Sequence, residues 1–192
     1  MTRTEIINYL INKIDAKSYL EIGVREPEGN YSKIICENKV AVDPVPLSPG
    51  IIALTSDAFF AQNKDTFDII FIDGLHIADQ VERDIINSLA VLRPGGYIIC
   101  HDMNPTEHLM QMVPIQTTGA WTGDCWKAWV KLRSERDDLS MYVLDTDFGV
   151  GIIKRGEQEK ILLNGLKLTY SNLTSNRKEW LNLINSNMLY EL

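Results

Sequence analysis

The stretch that decides the fold is FDIIFIDGLH, residues 67–76. Phe67-Asp68-Ile69-Ile70-Phe71-Ile72 is a nearly continuous apolar run, the pattern of a strand covered on both faces. It breaks at Asp73-Gly74, and His76 follows. Burying these polar groups would be costly, so the strand's end is expected to open onto a rim that water or a ligand can reach.

The same grammar recurs on either side. Ser18 to Ile22 is a short strand ending at Gly23. Lys39 to Val42 is a second, ending at Asp43, and Ile51 to Leu54 a third. Tyr97 to Cys100 ends in His101-Asp102. The Pro-rich stretch 43–50 can be neither helix nor central strand. Thr2-Arg3-Thr4-Glu5 fits a capping box, and Ile6, Ile7, Leu10, Ile11 and Ile14 follow at helical spacing. Further helices are predicted over 31–36, 56–62 and 124–134, with a long one marked by Ile77, Val81, Ile85, Leu89 and Leu92. Pro94-Gly95-Gly96 stops the long helix.

Two late strands, 139–144 and 149–154, are joined by Asp145-Thr146-Asp147-Phe148 and read as an antiparallel pair at one edge. The polar tail carries a helix near 177–184. Strands alternating with helices predict an α/β fold: a doubly wound, mostly parallel sheet with helices on both faces and an antiparallel edge strand. The expected division is one domain over 1–155, opened by a helix within 1–16, with a helical tail over 156–192 packed on it.

Composition narrows the function classes. The 192 residues carry a formal net charge of −7 and no basic cluster, which disfavours a nucleic-acid partner. No apolar stretch reaches membrane-spanning length, and the N-terminus has no signal core. Cys36, Cys100 and Cys125 are odd in number and far apart, as expected of reduced thiols. A cytoplasmic protein is the expectation, and a homodimer is compatible with it.

In such sheets ligands bind beyond the carboxyl ends of the strands, where the strand order switches. Glu21, Asp43, Asp73 and Asp102 all fall at predicted strand ends. In YLEIGVREPEGNYSKI, residues 19–34, Gly23 and Gly29 would let backbone approach a ligand, with the following helix pointing its N-terminus at it. Asp43 is placed to accept both ribose hydroxyls of a nucleoside. A G-x-G-x-x-G dinucleotide loop is absent, and an acid-lined pocket suits a cationic sulfonium better than a pyrophosphate. Ser56 and Asp57 read either as helix caps or as neighbours of an adenine.

Asp73 and Asp102, with His76 and His101 beside them, could hold a divalent cation, and a histidine there could take a proton from an acceptor hydroxyl. In WTGDCWKAWVKLR, residues 121–133, Thr122 or Asp124 can cap the helix. Trp126 and Trp129 read as core, or with Trp121 as an aromatic lid. Trp180 reads as a packing anchor.

Taken together, YLEIGV, VDP, FDIIFIDGLH, VERDIINSLAVLRPGGYIICHD and GDCWKAWVKLR…DTDFGVGII resemble the class I S-adenosylmethionine-dependent methyltransferases, in particular the small bacterial branch called methyltransferase family 24. The resemblance covers roughly residues 17–155. It implies a Rossmann-like seven-stranded sheet, S-adenosylmethionine as cofactor, and a cofactor-binding set of Glu21, Gly23, Val24, Arg25, Asp43, Ser56, Asp57 and Asp73. It also implies a catalytic group of His76 as base, Asp73 and His101, with Asp73 and Asp102 as ligands to magnesium or another divalent cation.

Two departures are visible. Pro27 stands where the family has a glycine, so the cofactor loop is expected to take another path. Met103, after Asp102, offers no further oxygen ligand. The resulting expectation is an O-methyltransferase acting on a small polar acceptor such as a sugar or glycan precursor. A metal-dependent enzyme of different chemistry, such as a hydroxylase, and a non-catalytic cofactor-binding module are the rivals.

Overall fold

The structure is a computed structural model that describes residues 1–191. Its centre is a seven-stranded sheet made of β1 (Ser18–Ile22), β2 (Asn38–Val42), β3 (Phe67–Ile72), β4 (Leu92–Cys100), β5 (Leu139–Leu144), β6 (Val150–Arg155) and β7 (Leu183–Ile184). Their spatial order is β2-β1-β3-β4-β6-β5-β7. The first four run parallel, and β6 runs antiparallel to both β4 and β5.

The count of seven is reached differently from the sequence expectation. Residues 51–54 do not form a strand; they contribute a single bridge, Ile52 to Val42, because the Pro-rich loop leaves too little extended chain there. The seventh strand comes from the tail, where Leu183-Ile184 pairs parallel to β5. The reversed strand β6 therefore lies third from this end, with β5 and β7 outside it.

Five α-helices cover the sheet: α1 (Arg3–Lys13), α2 (Ser56–Gln62), α3 (Ala78–Val91), α4 (Cys125–Glu135) and α5 (Tyr170–Leu181). The capping box at α1 forms as expected. The Thr2 hydroxyl accepts from the Glu5 N–H, and the Glu5 carboxylate accepts from the Thr2 N–H at 2.7 Å. The helix expected over 31–36 is absent. Two 3₁₀ turns, Pro27–Gly29 and Tyr31–Lys33, replace it. Pro27 removes an N–H, and so short a segment cannot recover the cost of helix nucleation. The segment that follows β1 therefore supplies no α-helix N-terminus at that strand's end. The tail helix starts earlier than expected and stops at Asn182, which takes the left-handed conformation.

The strands alternate between two apolar layers. Leu20, Ile22, Ile70 and Ile72 pack toward α3 and α4 with Trp126, Trp129 and Trp180. Tyr19, Ile69, Phe71 and Ile99 pack toward α1, where Ile6, Ile7 and Leu10 are fully buried. Burying each such side chain contributes roughly 1.5–3 kcal/mol. Among the described residues, no helix is long and apolar enough to cross a membrane.

Register places the rim. Ile22 pairs with Val42 on one side and Ile72 on the other, and Ile72 pairs with Cys100. The next residues, Gly23, Asp43, Asp73 and His101, therefore leave the sheet level with one another. The order of the strands switches between β1 and β3, at Gly23 and Asp73.

Candidate active site

Gly23 sits at the switch with φ +97°, and its N–H donates to Val42 O at 2.8 Å. A Cβ there would lie 2.1 Å from Asp73 O. Only glycine permits both the left-handed turn and this contact. A cleft of about 280 Å³ opens beside it, lined by Gly23, Asp43, Ser56, Gly74, Leu75 and Gln80 among others. Asp43 spends one carboxylate oxygen on the Val45 N–H at 2.7 Å. Among the described residues, its other oxygen carries no such bond.

Gln80, on α3, was not among the residues singled out from sequence. Its amide donates to Ser56 Oγ and Asp57 Oδ1, both at 3.1 Å, and to Asp84 Oδ1 at 2.9 Å. The capping residue of α2 is Thr55, whose hydroxyl accepts from Ala58 N–H. Ser56 is thereby left to line the cleft, while Asp57, outside the lining, accepts from Gln80 and pairs with Arg83.

Glu21 does not line the cleft. It is buried toward α1, accepting from Tyr19 Oη at 2.5 Å and Asn30 Nδ2 at 3.0 Å. Burial raises its carboxyl to about 7, against the two hydrogen bonds that lower it. Val24 is buried, and its N–H shares the Val42 carbonyl with Gly23. Arg25 contributes its carbonyl to the Leu47 N–H at 3.0 Å, which pins the Pro-rich loop over the rim.

On the other side of the switch lies a cluster of acids and imidazoles. His76 Nε2 is 3.4 Å from Asp73 Oδ1, and His76 Nδ1 is 3.3 Å from Asp102 Oδ2. His101 Nδ1 lies 3.4 Å from Asp73 Oδ1 and 3.2 Å from Asp102 Oδ2. The two acids are thus shared between two imidazoles. Burial disfavours the charged form of His76, but Asp73 and Asp102 outweigh it and raise its pKa. Asp73 is held well below the ordinary carboxylate range: burial raises it, and the hydrogen bonds from both histidines overcome that.

Two further residues, absent from the sequence-derived set, complete the cluster. Arg3 reaches in from α1, and Asp147 from the β5–β6 turn, with His101 Nε2 3.3 Å from Asp147 Oδ1. Arg3 had registered only within a capping box and Asp147 only within a turn. Nothing in the local pattern shows that β6, passing beside β4, carries that turn to the rim.

The neighbouring loops are fitted closely. The indole of Trp121 stacks on His76 with centroids 5.2 Å apart, and its carbonyl lies 3.2 Å from His76 Nδ1. Gly123 leaves no room for a Cβ against the His76 carbonyl. Asp124 does not cap its own helix; its carboxylate accepts from Ala78 N–H at 2.8 Å and caps α3. Trp126 and Trp129 are fully buried, so the lid reading fails for both and only Trp121 stands at the site. Trp180 is buried and stacks on Trp126. Cys36, Cys100 and Cys125 are free thiols.

With this geometry in place, comparisons with known proteins become informative. Residues 47–103 match a family described as a methyltransferase domain. No curated protein sequence matches significantly. Among solved structures, a methyltransferase from Podospora anserina bound to S-adenosylhomocysteine is similar at 16% identity and TM-score 0.55, covering 80% of this chain and 77% of that one. An O-methyltransferase from Bacillus cereus, also with S-adenosylhomocysteine, is similar at 17% identity and TM-score 0.53, covering 80% of each chain. A methyltransferase of mycinamycin biosynthesis, solved with magnesium, S-adenosylhomocysteine and mycinamycin VI, is similar at 15% identity and TM-score 0.50, covering 78% of this chain and 47% of that one. Likeness at these identities concerns the fold.

Proposed function

We propose that the chain, which has the methyltransferase fold and a segment matching a methyltransferase domain, is a class I S-adenosylmethionine-dependent enzyme that methylates a hydroxyl of a small polar acceptor, of the sugar or glycan-precursor class. The single observation that carries this reading is His76 standing between Asp73 and Asp102 next to the cofactor cleft. In this reading the enzyme works in the cytoplasm and needs no nucleic-acid partner.

The cleft suits the cofactor by its chemistry. Asp43 offers a carboxylate oxygen for ribose hydroxyls, Ser56 and Gln80 border an adenine position, and the low pKa of Asp73 keeps an anion beside a sulfonium. When bound, S-adenosylmethionine supplies a methyl group on a positively charged sulfur. The chain's part is alignment and proton removal. His76 Nδ1–H donates to the Trp121 carbonyl, so Nε2, which faces Asp73 at 3.4 Å, is the nitrogen that takes the proton. In such a transfer the acceptor oxygen would take the methyl carbon, and the electron pair of the carbon–sulfur bond would stay on the cofactor's sulfur. The hydroxyl proton passes to His76 Nε2, and Asp73 and Asp102 stabilise the imidazolium. His101, buried at 5% exposure, supports the acids from behind.

Asp73, His76 and Asp102 can each offer one atom within 4.8 Å of the others, which favours a second reading in which they hold a divalent cation. Two oxygens and one nitrogen suit a transition ion better than magnesium, which prefers oxygen throughout. Such an ion would polarise the acceptor oxygen, but it would compete for the nitrogen used here as base, and no step above depends on it.

The test is methyl transfer from labelled S-adenosylmethionine to a panel of monosaccharides, nucleotide sugars and catechols, with and without magnesium or manganese. Labelled product from a sugar, abolished in His76→Ala, is expected. Methylation of catechols alone would replace the acceptor class. Strict dependence on an added metal would favour the second reading.

A further inference from the structure

The turn between β5 and β6 bends in a way its sequence does not favour. Gly149 N–H donates to Thr146 O at 2.8 Å, which closes a four-residue turn with Asp147 and Phe148 at its centre. Both central residues are left-handed, with φ +47° and +60°. In hairpin turns of this kind the second central residue is usually glycine, because a side chain there crowds its own backbone. Phe148 puts a bulky ring in that position. The ring is 44% exposed, so burial offsets little of the strain.

The turn is tied down beside the acid–imidazole cluster. Phe148 O and Gly149 O accept from Asn104 N–H at 2.8 Å and Met103 N–H at 3.0 Å, directly after Asp102. The Phe148 ring meets His101 edge to face, with centroids 6.5 Å apart. On the other imidazole, half-buried Trp121 stacks on His76, and its indole N–H donates to Met112 O at 2.8 Å. His76 and His101 share Asp73 and Asp102 between them. An aromatic ring that solvent can reach therefore stands at each end of the cluster.

A bulky residue kept in a strained conformation at a site, without burial in return, points to a ligand. Acids and imidazoles recognise hydroxyls. Aromatic rings take the apolar C–H face of a pyranose, or the face of an aryl ring, out of water. Resting on the reading of this cluster as the acceptor site, we propose that Phe148 is a specificity-determining residue that, with Trp121, holds the acceptor by the apolar face of a hydroxyl-bearing ring. An open-chain polyol offers similar hydroxyls and lacks that face.

The experiment compares wild type, Phe148→Gly and Phe148→Tyr. Glycine suits the turn, so Phe148→Gly is expected to unfold in one transition at a urea midpoint close to that of wild type, relief of strain offsetting the lost contacts. Saturation-transfer NMR titrations of the complex with S-adenosylhomocysteine use methyl β-glucopyranoside, catechol and glucitol as probes. The glucoside or catechol is expected to bind wild type, naming the source of the ring, and glucitol is not. Phe148→Gly is expected to weaken that binding about fivefold to tenfold and Phe148→Tyr to recover most of it, with S-adenosylhomocysteine affinity within about twofold throughout. With the acceptor found in the panel assay, the loss in Phe148→Gly is expected in KM, with kcat within about twofold. Failure of both ring probes to bind wild type, equal binding of glucitol, or unchanged ring affinity in Phe148→Gly overturns the proposal. So does a loss of turnover in step with a loss of stability, which marks a structural residue. A panel without methylated product, with ring binding lost in Phe148→Gly, removes the hydroxyl-methylation reading and leaves the ring site standing. Methylation with an unchanged KM in Phe148→Gly overturns the ring site and leaves that reading in place.

Discussion

The backbone of Asp73 lies directly over Gly23: a Cβ on the glycine would come within 2.1 Å of the Asp73 carbonyl oxygen. One contact thus joins the turn that shapes the cleft to an acid of the acid–imidazole cluster. Cleft and cluster meet at the switch in strand order.

Gly23→Ala is the first prediction that follows from this contact. The left-handed φ of +97° adds strain to the clash. The variant is expected to lose at least about 2 kcal/mol of stability, and to bind S-adenosylhomocysteine poorly. Urea unfolding and calorimetric titration check both, and a variant matching wild type in both would show that the switch can yield.

His76→Ala is expected to lower turnover by about 10²–10⁴-fold, the usual worth of a general base, with cofactor affinity almost unchanged. The pH profile carries a sign. The base must be unprotonated, and its pKa is raised from 6.5 by the acids despite burial. Activity is therefore expected to fall as pH drops through a value above the ordinary histidine range. Asp102→Asn removes one of the raising charges and should move the acid limb to lower pH; a limb that stays put would exclude this pairing.

Glu21 predicts a stability slope. Its folded pKa of about 7 lies above the ordinary 4.5, so the fold favours the neutral carboxyl. The stability it contributes is fully present below about 4.5 and is lost as pH rises through about 7. The span corresponds to on the order of 3 kcal/mol. Glu21→Gln should remove that slope, read from urea unfolding at several pH values. If the two proteins keep parallel curves, Glu21 is not the group responsible.

Gln80→Ala should weaken S-adenosylhomocysteine binding by about fivefold to tenfold, since Ser56 and Asp57 lose the amide that orders them. Titration calorimetry gives the answer directly, and unchanged affinity would place the adenine elsewhere.

The tail offers a test of domain organisation. Trp180 is buried, stacks on Trp126, and is followed by a strand in the same sheet. Trp180→Ala is expected to cost about 3–5 kcal/mol, within a single unfolding transition. A separate early transition of the tail would show that residues 156–192 fold apart.

Much of the scaffold and part of the site can be read along the chain, because the relevant forces there are local. Apolar runs closed by Gly23, Asp43, Asp73 and His101 mark strands and their ends. The Thr2–Glu5 box and the spacing of Ile6, Leu10 and Ile11 mark a helix and its start. Asp73 and His76 lie close enough in sequence that one turn after β3 brings them together. By contrast, the absence of a helix after β1, the reduction of residues 51–54 to one bridge, and the recruitment of Leu183-Ile184 into the sheet depend on which chains compete for the same edge. The presence of Arg3, Gln80 and Asp147 at the site was decided by tertiary structure alone. Each sits in a segment whose local role is complete without the site, and only the packing of α1, α3 and the β5–β6 turn around one sheet end brings their side chains to it.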